Sequence, residues 1–203
     1  MSATPTASDG RPGRPRDARA DVAILGAAVE VLGERGPGGF TVDEVAARAG
    51  CGKATIYRRW PSRSALLLDT VHQMGLEPPD VDSGSLRDDL VATLRVLGEK
   101  MRDTATGRIL PGVIAEASVH DEMRRVLTEF VDDRRSRPRV VVRRAVERGE
   151  LPDDTDVEML LDLLGGTVIF RELIAGLPTD EAYCVGLVER VLPGFGWSPA
   201  PPP

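Results

Sequence analysis

The sequence is poor in cysteine, histidine and aromatic residues, and each scarcity argues against a class of function. Its two cysteines, Cys51 and Cys184, are too few for a disulfide framework or a cysteine-based zinc site. With His72 and His120 as the only histidines, a catalytic triad built on histidine has little material. Aromatic residues make up 4% of the chain, whereas alanine, leucine, valine, arginine and glutamate are plentiful, a balance that favours helices over sheets.

Long apolar runs are also missing. No stretch of about 18 consecutive apolar residues occurs, so no membrane-spanning helix is expected. The opening segment, MSATPTASDGRPGRPRDARA, lacks the apolar core of a secretory signal. The sequence contains no phosphate-binding loop, no nucleophile elbow and no recognisable spacing of metal ligands. We therefore expect a cytoplasmic protein that is not an enzyme and needs no cofactor and no metal.

Acidic residues are in excess overall, but the two parts of the chain differ. The formal net charge is -6, yet residues 1–75 have 10 basic and 8 acidic side chains, against 16 and 24 in residues 76–203. The stretch from Val45 to Leu68 has no acidic residue. Its five cations are Arg48, Lys53, Arg58, Arg59 and Arg63. Such a stretch suits a surface that faces a polyanion, although a cationic run is usually a solvated helix face.

Apolar spacing and capping residues predict short helices in the N-terminal part. Residues 17–33 repeat apolar side chains at the spacing of an amphipathic helix, and the glycine-rich and proline-containing stretch after Arg35 ends it. Thr41 and Glu44 form a capping-box pattern at the start of a second helix. Gly50 is placed to end this helix, because glycine tolerates a positive φ.

A tight turn joins the second helix to a third. Residues 53–60 are predicted to be helical up to Pro61, and Ser62 caps a fourth helix. Two short helices with a glycine-containing turn between them form a helix-turn-helix, and the first helix supplies the packing partner. We therefore expect a disordered basic arm at residues 1–16 and a three-helix DNA-binding domain at residues 17–75.

The third helix is predicted to read DNA. In a helix-turn-helix the second helix of the pair enters the major groove, led by its N-terminal residues. Ile56 and Trp60 are four residues apart and turn toward the core. The side chains left for DNA are Lys53, Ala54, Thr55, Tyr57 and Arg58.

Each of these residue types suits a particular part of DNA. Lys53 and Thr55 can hydrogen-bond base edges, Ala54 permits close approach, and the Tyr57 hydroxyl suits a phosphate oxygen. Arg63, at the start of the fourth helix, is expected to contact the sugar-phosphate backbone. Arg14 and Arg16, in the N-terminal arm, are expected to reach the minor groove.

The C-terminal part, residues 76–195, is also predicted to be helical, so the fold class is all-α. Candidate helices cover residues 85–102, 107–118, 121–137, 139–148, 156–175 and 180–192. Pro138 is expected to kink or divide the longest of them. A proline-rich tail follows at residues 196–203.

The N-terminal motif resembles a known family. The segment ILGAAVEVLGERGPGGFTVDEVAARAGCGKATIYRRWPSRSALLLDTV strongly resembles the DNA-binding domain of TetR-family transcriptional regulators, through the series T-x-x-x-V-A-x-x-A-G…K-x-T-[IL]-Y-x-x-[WF]-x-[SN]-[KR]-x-x-L. The segment VVRRAVERGELPDDTDVEMLLDLLGGTVIFRELIAGLP resembles one of its C-terminal domain types. The resemblance implies an all-helical homodimer that binds a palindromic operator, usually as a repressor, and is released by a small-molecule effector.

The resemblance also implies roles for individual residues. Thr41 and Tyr57 match family positions that touch phosphates. Lys53 and Thr55 match the base-reading end of the recognition helix. Arg63 matches the basic residue that usually opens the fourth helix.

Two helices near the C-terminus are predicted to form a dimer interface. The segment from residue 156 to 175 is apolar nearly all round, whereas a surface helix needs one apolar stripe. Two such helices from each chain fit a four-helix interface; a single large core explains the pattern equally well, and the resemblance favours the dimer. The predicted dimerisation residues are Met159, Leu163, Gly166, Phe170, Leu173, Cys184, Leu187, Val188 and Val191.

The effector is expected to bind among the C-terminal helices. The predicted pocket residues are Leu97, Met101, Val113, Ala117, Leu127, Phe130 and Phe170. The same residues would also fill a closed core, so a constitutive DNA-binding protein without an effector stays open as the alternative function. A closed core favours that alternative, whereas a cavity with a few polar groups favours a ligand-responsive repressor.

Overall fold

The structure is a computed structural model that describes residues 18–74 and 77–199, and every regular element in these residues is helical. The helices are α1 (Ala18–Gly39), α2 (Val42–Arg48), α3 (Lys53–Tyr57), α4 (Arg63–Gln73), α5 (Leu86–Asp103), α6 (Ala105–Val119), α7 (Asp121–Glu147), α8 (Val157–Ile169) and α9 (Glu181–Val191). A π-helix, Phe170–Ile174, continues α8, and a 3-10 helix, Leu192–Phe195, continues α9. The expected all-α class is confirmed.

Local signals set the ends of the first two helices. α1 is interrupted at Gly36, where φ is +66°, within the stretch predicted to break it. Thr41 caps α2, since its Oγ1 accepts a hydrogen bond from the backbone N–H of Glu44 at 3.2 Å. The reciprocal half of the capping box is replaced, because the Glu44 carboxylate accepts from Arg35 at 3.4 Å. Gly50 follows α2 with a φ of +63°, as a glycine terminator should.

The third and fourth helices are joined by a short turn that an indole holds in place. α3 ends at Tyr57, three residues earlier than the pattern predicts. The buried Trp60 lies in the turn, and its Nε1 donates to Asp69 Oδ2 at 2.7 Å. Ser62 caps α4 as predicted, because its Oγ accepts from the backbone N–H of Ala65 at 3.1 Å.

Pro138 lies inside α7 and does not divide it, which corrects the expectation of two separate helices there. A proline inside a helix removes one backbone hydrogen bond and costs about 3 kcal/mol. Phe130 before it and Val141 and Val142 after it are buried and hold both halves of the helix against the core. Tertiary packing therefore outweighs the local penalty.

Two apolar cores organise the described residues, and the first of them includes residues from both sides of residue 75. The first core joins α1–α4 to α6 and α7, and its most buried members include Leu32, Phe40, Ile56 and Met123. The second core lies among α5, α7, α8 and α9. The helix-turn-helix therefore shares one core with part of the C-terminal region.

We predict that replacing Ser62 by alanine lowers the free energy of unfolding by about 1 kcal/mol, because the Ala65 N–H loses its capping partner. Urea unfolding at one fixed protein concentration measures this. Ser136→Ala is the matched control, because the Ser136 hydroxyl donates to the Asp133 carbonyl of its own helix. Equal losses in both variants would contradict a specific capping role.

Candidate functional site

The predicted reading helix presents its polar side chains to solvent. Lys53, Ala54 and Arg58 are exposed, and Tyr57 keeps 49% of its surface accessible. Ile56 and Trp60 are buried beneath them, as the four-residue spacing predicts. Thr55 is half-buried on the same helix. This division leaves one face of α3 for packing and one for a partner.

Lys53 forms a salt bridge with an acidic side chain on this surface. Its Nζ lies 2.6 Å from Asp43 Oδ1 on α2, and both side chains are more than half exposed. The hydrogen bond to the Asp43 carboxylate raises the pKa of Lys53, because it stabilises the protonated ammonium. A phosphate or base that binds Lys53 therefore competes with Asp43.

Two further residues suit contact with a phosphate backbone. The exposed Thr41 accepts the Glu44 N–H through its hydroxyl oxygen, which leaves the hydroxyl proton to donate. Arg58 forms no ion pair with any described residue. The predicted minor-groove residues Arg14 and Arg16 lie outside the residues that the structure describes.

Other cations of the acid-free stretch are neutralised by acids of α1. Arg48 lies 2.7 Å from Glu34 and 3.7 Å from Glu30. Arg59 pairs with Asp21, and its side chain keeps 13% of its surface exposed. The absence of acids in the local sequence thus reflects, in part, acids supplied by a neighbouring helix.

Arg63, the first residue of α4, contacts other residues of the protein. Its Nε donates to the Phe40 carbonyl at 2.9 Å, and its Nη2 donates to the Pro37 carbonyl at 2.6 Å. Its Nη1 lies 3.7 Å from a Glu122 carboxylate oxygen at the start of α7. Arg63 therefore fastens the α1–α2 junction to α4 and α7, and its expected contact with DNA stays a prediction.

A cavity of about 340 Å³ lies in the C-terminal region, with walls from α5, α6, α7 and α8. Four of the seven predicted pocket residues line it: Leu97, Met101, Leu127 and Phe130. The other three do not. Val113 and Ala117 are buried in the first core, and Phe170 is 60% exposed.

Sequence reasoning missed much of the α8 wall and the polar groups of this cavity. Leu161, Leu164, Gly165 and Gly166 line it from α8. A Cβ atom added at either glycine would meet nothing within 4 Å, so the pair leaves open space and makes no close backbone contact. Two adjacent glycines in an apolar helix were the available signal. The polar wall residues are Glu77, Thr93, Lys100, Arg134 and Arg135.

An apolar face of α8 and its π-helical extension is open to solvent. Of the residues predicted for dimerisation, Met159 is 55% exposed and Leu163 is 46% exposed. The exposed set also includes Gly166, Phe170, Ile174 and Leu177, the last two beyond the prediction. Leu173 is half-buried and packs against the first core.

The α9 residues predicted for the same interface point inward. Cys184 and Val188 are fully buried in the second core, so they are corrected to core residues of a single protomer. Burial also raises the pKa of the Cys184 thiol. Leu187 and Val191 are half-buried and pack against the same core. The alternative of an internal core thus holds for one face of α9.

An exposed reading helix in a helix-turn-helix, joined to a helical region with a cavity, defines the class of DNA-binding regulators. In the described part of the chain no helix combines the length and hydropathy needed to cross a bilayer. A family model described as "Bacterial regulatory proteins, tetR family" matches residues 24–70. One described as "Tetracyclin repressor-like, C-terminal domain" matches residues 80–191.

Known proteins share this pattern over most of the chain. An uncharacterized HTH-type transcriptional regulator of Bacillus subtilis, YdeS, is 30% identical over 90% of this chain and 92% of its own length. The DNA-binding transcriptional repressor TetR of Mycobacteroides abscessus is 34% identical, over 84% of this chain and 90% of its own. A crystal structure of the TetR family regulator SCO0332 is 34% identical and superposes with a TM-score of 0.69, over 87% of this chain and 98% of the other.

The chain belongs to the TetR family of helix-turn-helix transcriptional regulators. The expectation that it is not an enzyme is confirmed by this membership, since the family consists of DNA-binding regulators. Binding to DNA follows from the helix-turn-helix.

We predict that the neighbouring arginines Arg58 and Arg59 differ in what they stabilise. Arg59→Met leaves Asp21 partly buried without its partner and lowers the free energy of unfolding by roughly 1–3 kcal/mol. Arg58→Met, the matched control, leaves urea unfolding unchanged because Arg58 is exposed. Similar destabilisation in both variants would show that the internal pairing has been misassigned.

Proposed function

We propose that the protein is a dimeric transcriptional repressor that acts in the cytoplasm, binds a palindromic operator and leaves it when a small molecule occupies its cavity. The observation that carries the DNA-binding half is the exposed face of α3, where Lys53, Ala54 and Tyr57 are open to solvent. The exposed Arg58 follows directly and forms no ion pair with any described residue. The M. abscessus relative, whose name describes a repressor, supports the sign of regulation.

Individual contacts to DNA follow from the chemistry of this face. Lys53 and Thr55 read base edges, with Ala54 allowing the backbone of α3 to approach. Phosphates are bound by Thr41, Tyr57 and Arg58. Arg14 and Arg16 remain proposed contacts in the minor groove. In this division residues 17–75 bind DNA and residues 76–195 bind the effector and the partner subunit.

Lys53 is the residue with which to test base reading. Lys53→Ala is expected to weaken operator binding roughly tenfold to a hundredfold and to relax the preference at one base pair, because a donor to a base edge is lost. Fluorescence anisotropy with a labelled duplex from the region upstream of the gene, and with base-substituted duplexes, measures both effects.

Arg125→Ala is the control, since Arg125 is an exposed cation on α7 outside the helix-turn-helix. It should bind DNA like the unmodified protein. Unchanged affinity and base preference in Lys53→Ala would remove Lys53 from the reading surface. Failure of the unmodified protein to bind any duplex at low salt would falsify the DNA-binding assignment.

The solvent-exposed apolar face of α8 supports the dimer. Met159, Leu163, Gly166 and Phe170 are exposed on α8 and at the start of its extension, and Ile174 is 73% exposed beyond them. Soluble monomers rarely expose large contiguous apolar patches, and an isologous two-fold contact covers such a face with its own copy. A dimer also matches the two half-sites of a palindrome.

Phe170→Glu is expected to convert the dimer to monomers, because two carboxylates would then meet at an apolar contact. Sedimentation velocity measures the change. Val119→Glu is the matched control: Val119 is 73% exposed but is the last residue of α6, outside α8 and its extension. A Phe170→Glu protein that still sediments as a dimer would exclude this face.

The cavity favours an effector over constitutive binding. A closed C-terminal core would favour a DNA-binding protein without an effector. The C-terminal region instead contains a cavity of about 340 Å³ with several polar groups in its wall. Small-molecule sites commonly have volumes of about 300–1,000 Å³ with few polar groups among apolar walls.

A further inference from the structure

The cavity has a cationic side that its apolar walls do not explain. Its charged wall residues are Glu77, Lys100, Arg134 and Arg135, three cations against one carboxylate in the described part of the lining. An entirely apolar ligand would need none of them. Which of these charges are paired within the protein therefore indicates the chemistry of the ligand.

Three of the four charges are already paired with other residues, Arg134 among them through Asp133. Arg135 Nη1 lies 3.2 Å from a Glu158 oxygen, and Glu77 Oε2 lies 3.2 Å from Arg137 Nη2. Lys100 differs, since it forms no ion pair with any residue that the structure describes. The charge that remains uncompensated at the cavity wall is therefore positive.

Two nitrogen donors of Arg134 have no hydrogen-bond acceptor among the described residues. Its Nη2 donates to Asp133 at 2.8 Å, whereas its Nε and Nη1 are shielded from water and have no hydrogen-bond partner among the described residues. Its guanidinium carbon lies 5.4 Å from the ring centre of Phe130, which also lines the cavity. Buried donors left unpaired are costly, above all on a charged group. An acceptor brought by a ligand would remove that cost.

The rest of the cavity suits a short hydrocarbon. Leu94, Leu97 and Met101 on α5 and Leu161 and Leu164 on α8 supply walls without hydrogen-bonding groups. A protein cavity of about 150 Å³ already holds benzene, so a volume of about 340 Å³ admits a ring with a short chain or a medium-length alkyl chain.

We propose that the effector is a small amphipathic monocarboxylate, aliphatic or arylalkyl, whose carboxylate is bound by Arg134 and Lys100 and whose hydrocarbon lies along α5 and α8. Charge-assisted hydrogen bonds to a carboxylate are stronger than those to a neutral amide. A cationic ligand would instead add positive charge to Lys100 and Arg134. This inference rests on the proposed effector-responsive function.

Isothermal titration calorimetry of the full chain tests the ligand class with matched probes. The probes are octanoate and 4-phenylbutyrate, each compared with its own primary amide, which keeps the hydrocarbon and removes the charge. We expect at least one carboxylate to bind about tenfold or more tightly than its amide. Equal affinity within both pairs, or no carboxylate binding at millimolar concentration, would overturn the proposal.

Variants locate the head group. Arg134→Gln and Lys100→Gln should each reduce the preference for carboxylate over amide, while amide binding persists and shows that the cavity is intact. Arg125→Gln is the matched control, an exposed α7 arginine outside the cavity, and should keep the full preference. Full preference in both Arg134→Gln and Lys100→Gln would overturn the assigned head-group site.

Operator release separates this inference from the function on which it rests. A carboxylate that binds with the expected preference and releases labelled operator supports both. Preferred binding without release supports the ligand class and contradicts the effector role. Release by the amides alone supports the effector role and overturns the ligand class.

Discussion

The arrangement of this molecule depends on the burial of α1. Ala28, Val31 and Leu32 have no exposed surface, and α1 contacts α2 and α4 on the DNA-binding side and α6 on the other. The same helix supplies the acids that pair with Arg48 and Arg59. One helix thus positions the reading helix, neutralises its supporting cations and connects it to the C-terminal region.

Ion pairs within the protein determine which cations of the acid-free stretch stay available to an anionic partner. An acid-free stretch with five cations suggests a broadly basic surface, but the structure leaves Lys53 and Arg58 on the exposed face of α3. Lys53 itself forms a salt bridge with Asp43. The positive charge that this stretch exposes is therefore smaller than its sequence suggests.

Features encoded by neighbours in the sequence were predictable, and features that depend on distant partners were not. The caps at Thr41 and Ser62 are hydrogen bonds between residues three apart in the sequence, so the local sequence pattern predicts them. Arg63 finds its acceptors 23 and 26 residues away, which no local pattern encodes. Cys184 and Phe170 were both predicted to lie at the dimer interface, yet Cys184 is buried and Phe170 is exposed. Periodicity gives the faces of a helix, while packing decides which face is covered.

The anchoring of Arg63 has a consequence for reading DNA-binding data. Because its guanidinium holds the carbonyls of Pro37 and Phe40, a substitution there disturbs the α1–α2 junction. If Arg63 only anchors this junction, its loss would weaken DNA binding without changing the dependence on ionic strength, because the number of displaced counterions would be unchanged. Loss of an arginine that contacts a phosphate, the role proposed for Arg58, would lower that dependence by about one ion. The slope of affinity against salt thus distinguishes an arginine that holds the motif from one that touches the nucleic acid.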